Sequence, residues 1–256
     1  MADPARLHRP SPPWRDPLYV LGHSHALSGL AAGAVTLPWA PVHGAVGQAA
    51  WVAAASGFAM LPDLDQRGST ISRMWGPLSD VPSGIVGTIA RGHRWGTHDA
   101  VVAPVVFGFV ASLASEWFWS SLLFMAMSIG LALRALHFVI PGKAENTVIG
   151  NLLLSFGGAW LLLENTASPA WLPFAVMLGV LTHIVGDLLT CEGVPLPVFW
   201  AFGRNRIKLS PMRTGTVLET AVLVPAFLAI ALVFAYLNTP ARDAVDPLLE
   251  RLSALG

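Results

Sequence analysis

The feature that most restricts this chain is a series of apolar runs too long and too poor in charge for a water-soluble surface. Trp117–Phe138 contains one Asp, Glu, Lys or Arg, Arg134, and Val217–Leu237 contains one, Glu219. A hydrocarbon layer ~30 Å thick is crossed by about 20 mostly apolar helical residues. A helix also satisfies its own backbone polar groups in lipid. Of the 256 residues, 54% are hydrophobic and 12% are charged, about half the charged share of a soluble domain. The expected fold is therefore all-α, a multi-pass transmembrane helical bundle of six or seven spans. Candidate spans are His25–Trp39, Gly44–Leu61, Ala100–Ser115, Trp117–Phe138, Thr147–Leu163, Ala170–Thr190 and Val217–Leu237. Residues 1–22 are expected to be a flexible basic tail, 23–238 the membrane domain, and 239–256 a short C-terminal tail.

Charge placement orients these spans. The chain has 15 Lys and Arg against 15 Asp and Glu. This balance argues against a nucleic-acid binder with a basic surface. Threaded through seven spans, all the cations except Arg242 and Arg251 fall on one side. The positive-inside rule then places the N-terminus in the cytoplasm and the C-terminus outside. Trp39, Trp117, Trp119 and Trp171 fall near the opposite edge, where interfacial anchors belong. The single cysteine, Cys191, excludes an intrachain disulfide and a cysteine-rich zinc module.

The same threading gathers the residues suited to chemistry on the cytoplasmic side. His23 and His25 open the first span, and Asp63 and Asp65 follow the second. His93, His98 and Asp99 precede the third, His183 and Asp187 end the sixth, and Glu219 opens the seventh. His183 and Asp187 are four apart on a helix and share one face, so they can grip one metal ion. Two carboxylates as close as Asp63 and Asp65 repel unless a cation or a shared proton offsets them. Histidine with aspartate suits zinc, manganese or iron. Plainer readings exist: interfacial histidines at 23 and 93, a turn and helix cap at Asp63–Asp65, and a hydrogen-bonded lock between helices at His183–Asp187. Against them, four separate segments bring His or Asp to one depth.

The segments Ser24–Gly29 (SHALSG), Leu61–Asp65 (LPDLD), His93–His98 (HRWGTH) and His183–Thr190 (HIVGDLLT) together resemble the YdjM family. Glu192–Pro197 and Thr214–Glu219 also resemble its pattern. Members are described as LexA-regulated, inner-membrane, metal-dependent hydrolases, distantly similar to zinc-dependent phospholipase C and P1-type nucleases. The resemblance implies His25, Asp63, Asp65, His98, His183 and Asp187 as metal ligands, with His93 and Glu219 as possible additions. A second His-x-x-x-Glu/Asp pair found in the soluble enzymes has no counterpart here, although His137 and Glu219 are candidate substitutes. One or two divalent ions, zinc foremost, are therefore expected.

The resulting expectation is a membrane-bound, metal-dependent phosphoester hydrolase acting on a lipid-like or small-molecule substrate at the cytoplasmic face. Asp65 would be the catalytic base or a bridging ligand. Arg204, Arg206, Lys208 and Arg213 would hold a phosphate or headgroup. Membrane lipids are the expected partners, and nucleic acid is not. The rival is a non-enzymatic membrane protein: a metal or ion transporter, a metal sensor or a scaffold. A transporter would carry its ligands near the midplane on broken helices, whereas these sit at one end.

Overall fold

The computed structural model describes residues 21–69, 71–138, 144–199, 202, 205–209, 216–243 and 245–247. The helices are α1 (Leu21–Thr36), α2 (Gly44–Phe58), α3 (Pro77–Ile89), α4 (Val102–Ala114), α5 (Phe118–Ala135), α6 (Ala144–Glu164), α7 (Leu172–Leu188) and α8 (Val224–Asn238). A π-helical turn, Glu219–Leu223, leads into α8. A two-residue antiparallel ladder pairs β1 (Val194–Pro195) with β2 (Arg206–Ile207). The fold is all-α apart from that ladder.

Every stretch expected to span is helical. Four are long and apolar enough to cross a membrane: Phe118–Ala135, Thr147–Glu164, Pro169–Leu188 and Glu219–Asn238. The shorter α4 is also apolar. Helices α1 and α2, of 16 and 15 residues, occupy the middle of the bundle, and α2 packs against α1, α5 and α7. Small residues allow this close approach. Gly29 and Gly33 sit four apart on α1, and a Cβ at Gly29 would come within 2.5 Å of the Ala55 carbonyl on α2. A Cβ on Gly57 would come within 2.0 Å of the Ser128 carbonyl on α5. Without a hydrophobic driving force between helices in lipid, such backbone proximity supplies the packing contacts.

The structure departs from the sequence reading in two places. Trp39, Trp117 and Trp119 are at least 70% exposed, as anchors should be, but Trp171 is buried in the core. The second departure is α3, absent from the list of spans. Its Ser79 and Ser83 are buried, and the Ser83 hydroxyl donates to the Leu64 carbonyl. Leu78, Val81, Ile85 and Ile89 form an exposed apolar stripe along the opposite face. At 13 residues with polar positions facing the protein, α3 is amphipathic with its apolar side turned outward. It rests on the turn that carries Asp63 and Asp65.

Replacing Gly57 by valine is expected to overpack the α2–α5 contact. The cost should be about 1–3 kcal/mol or more, measured as a lower unfolding midpoint in detergent.

Candidate metal centre

Helix ends bring the site together. His25 lies in the first turns of α1, and Asp63 and Asp65 lie in the 3-10 turn Pro62–Asp65 that follows α2. His98 closes a second 3-10 turn just before α4, and His183 and Asp187 lie in the last turns of α7. Because α2 and α7 end where α1 and α4 begin, one end of the bundle collects all of them.

Two triads have ligand atoms within 4.8 Å of one another: His25, His183 and Asp187, and Asp63, His93 and His98. Between the triads lies a tighter set of four atoms. His98 Nε2 and His183 Nε2 are 3.2 Å apart. Asp63 Oδ1 is 3.6 Å from each of them. Asp187 Oδ2 is 3.4 Å from the first and 3.6 Å from the second. An ion held tetrahedrally at about 2.0–2.1 Å spaces its ligands by about 3.3–3.4 Å, so these five separations fit one.

The hydrogen bonds behind the rings fix the direction of the lone pairs. His183 Nδ1 is 2.7 Å from the Ala59 carbonyl, which can only accept, so Nδ1 carries a proton. The Thr97 hydroxyl donates to Asp65 Oδ2, leaving its oxygen to accept from His98 Nδ1 at 3.0 Å. In each neutral ring, Nε2 is therefore a bare lone pair. Two such lone pairs and two carboxylates converge in a region where His98, His183 and Asp187 are fully buried. Among the described residues neither carboxylate oxygen of Asp187 makes a hydrogen bond; Oδ1 has the Arg94 guanidinium at 3.3 Å, whereas Oδ2 faces the two Nε2 lone pairs. Buried acceptors facing acceptors are costly, and a divalent cation would resolve the conflict. Proton-bearing outer nitrogens on carbonyl or carboxylate partners also typify metal-binding histidines.

Charge supports the same assignment. Burial alone would raise the Asp63 carboxyl, but positive charge at His183, then at His98 and His25, holds it well below the usual carboxylate range, so the carboxylate stays ionised when a cation, proton or metal, occupies the cluster. Burial lowers His98, against the pull of Asp63, and so favours its neutral, ligating form. His25 stacks on His183 with ring centroids 3.9 Å apart, and its Nε2 is 3.6 Å from Asp187 Oδ1.

Asp65 stands elsewhere than expected. It faces the Nδ1 side of His98, away from Nε2, and both its oxygens are engaged: Oδ1 by His93 Nδ1 at 2.6 Å, Oδ2 by the Arg94 amide at 3.1 Å and by Thr97. From there it can orient both the His93 and the His98 ring. Glu219 belongs to neither triad and accepts the Ser24 hydroxyl. Asp99 caps α4 through the amides of Val101 and Val102, both at 2.8 Å. His137 packs its ring near His23 at 5.9 Å, outside both triads. Of the expected phosphate-binding cations, Arg204 and Arg213 lie outside the described residues. Arg206 is exposed and sits over the Trp95 ring at 4.6 Å, and Lys208, just past the end of β2, is also exposed.

Sequence reasoning counted Arg94 only as a positive-inside charge. It is 7% exposed and lies 3.3 Å from both Asp187 Oδ1 and Glu192 Oε2. Its backbone is left-handed, at φ 63°, a conformation costing about 1–3 kcal/mol for such a residue. The Asp65 bond to its amide holds it there. Its place inside the HRWGTH segment was the available signal.

Residues 20–140 match the model of the YdjM inner membrane protein family. That stretch includes His25, Asp63, His93 and His98, while His183 and Asp187 lie beyond it. No curated protein and no solved structure matches the chain.

Alanine at His98, His183 or Asp187 should abolish stoichiometric metal in the purified protein. Asp65→Asn should retain the site but weaken affinity about 10–100-fold. Elemental mass spectrometry and metal titration distinguish the two outcomes.

Proposed function

We propose that the chain, whose residues 20–140 match the YdjM inner membrane protein family, is a zinc-dependent phosphoester hydrolase whose site lies at the cytoplasmic surface of the membrane. The convergence of the His98 and His183 lone pairs with Asp63 and Asp187 carries the reading, because it fits a tetrahedral ion with nitrogen and oxygen ligands. Seven spans with the N-terminus inside accord with the distribution of cations. The outward apolar stripe of α3 suits a helix lying in the headgroup layer, beside the turn that carries the acidic ligands.

His98, His183, Asp63 and Asp187 would hold the first ion. His25 would join through Asp187. A bound divalent ion would supply Lewis acidity toward a phosphoryl oxygen and acidify water. The remaining chemistry belongs to side chains. Arg94 neutralises Asp187 and presents a buried guanidinium, the group best shaped to take up charge developing on phosphate oxygens. His93 and Asp65 form an imidazole–carboxylate pair, with the side chain of His93 32% exposed and that of Asp65 inaccessible. The buried carboxylate orients the ring, and the ring can pass its proton to a departing alkoxide. Asp65 thus acts through His93 and His98. Arg206 and Lys208 remain candidates for contacting a phosphate outside the buried centre.

The test is hydrolysis of phosphodiesters by detergent-purified protein, alongside its metal content. One or more equivalents of zinc, with turnover lost in Asp187→Asn and His98→Ala, is the expected result. No metal after reloading would overturn the reading.

pH gives a second check. Burial would lower His93, but its hydrogen bond to Asp65 and the charge of Asp63 outweigh that and raise it. A general acid works in its protonated form, so turnover should fall as pH rises through this elevated value. His93→Gln should remove that limb and lower kcat about 10²–10⁴-fold without emptying the site.

A further inference from the structure

A cavity of about 430 Å³ opens between α1, α7 and α8, and His25, which stacks on His183 of the candidate metal centre, stands at one end of it. That end is polar: His25 and Glu219 line it, with Ser24 hydrogen-bonded to Glu219. The body is apolar, walled by Ala32 and Val35 of α1, Val185 and Leu189 of α7, and Phe227 and Ile230 of α8. Val185, Leu189 and Ile230 are also exposed on the outer surface, so the groove opens sideways, toward lipid in a membrane. From His25 to Thr36 on α1, and from Glu219 to Ile230 on α8, it runs about 16 Å at the helical rise. One leaflet of hydrocarbon is about 15 Å deep.

We propose that this groove holds an acyl chain of a phosphate-bearing lipid while its phosphoester lies at the metal centre. The inference rests on the hydrolase reading for the identity of the headgroup chemistry, but the groove's geometry stands apart from it. An apolar slot of leaflet depth that begins beside a metal-ligand histidine and opens laterally fits a lipid tail. A water-soluble substrate would leave its apolar walls unmatched. Gly186 makes the junction possible. A Cβ there would meet His25 Cε1 at 3.0 Å and Nδ1 at 3.1 Å, so the absent side chain lets the ring lie flat between slot and site. Leu223, Phe227 and Ile230 form the opposite wall at the spacing of one helix face, and Glu219, at the head of the π-helical turn, lines the polar end.

The experiment uses the full chain in nanodiscs containing a phosphatidylglycerol with a photoactivatable diazirine near the end of one acyl chain. Labelled peptides are mapped after illumination. Labelling should concentrate on the α1 and α8 walls and exceed that on lipid-facing residues such as Phe109 and Leu123. Ala32→Phe, which fills the slot, should cut labelling of the α8 wall at least fivefold while metal content stays at the wild-type level. Phe227→Trp, from the opposite wall, answers the same question if Ala32→Phe does not fold. Labelling spread evenly around the belt, or left unchanged by a folded slot-filling variant, would overturn the proposal. Hydrolysis is scored separately. Groove labelling by a protein that cleaves neither long-chain lipid nor a short soluble phosphodiester would support the groove and sink the hydrolase reading. Equal cleavage of both substrates by wild type and by Ala32→Phe would do the reverse.

Discussion

Four electron-rich atoms aimed at one buried point are the constraint on which the rest of this molecule turns. His98 Nε2 and His183 Nε2 stand 3.2 Å apart with Asp63 and Asp187 closing on them, and both rings and Asp187 are fully buried. In a low-dielectric interior such a set is stable only with positive charge at its centre. Features around it provide or direct that charge. The Ala59 carbonyl and the Thr97 hydroxyl turn the lone pairs inward, Arg94 offsets Asp187 from behind, and Asp65 anchors the loop that carries both His98 and Arg94.

The bundle holds this arrangement by close backbone packing. Glycines on α1 and α2 bring helices near enough for ligands from separate segments to share a few ångströms. The Leu61–Asp65 turn is pinned from outside by α3, through the Ser83–Leu64 hydrogen bond. Helix, turn and ligand are thus linked: a shift of α3 or of the α2–α5 contact would displace Asp63 and Asp65.

Much of this could be read from the residues. Long uncharged runs identify the membrane helices because lipid tolerates almost nothing else, and the i, i+4 spacing of His183 and Asp187 fixes their shared face. The side chains with buried roles outside the ligand set were harder to see. Arg94 looks like any loop cation until folding places it against Asp187. Asp65 and Asp63 are alike in sequence and separate only by which side of His98 each one meets. Helix α3 escaped because an amphipathic helix of 13 residues has the composition of a loop, with Pro77, Ser79, Asp80, Pro82 and Ser83 among its first turns. Trp171 shows the limit of position as a guide, since it lies at the right depth but points into the core.

The ligands are scattered along the chain, with His25 near its beginning and Asp187 some three-quarters of the way along it. During synthesis, no intermediate lacking α7 can complete the centre, so an ion can be captured only after most of the membrane domain has been inserted and packed. Until then the mutual repulsion of the site works against closure of the bundle. An ion bound there would add its binding free energy to the stability of the fold. The centre would then double as a late checkpoint on assembly, with metal supply deciding how much of the chain reaches its finished state.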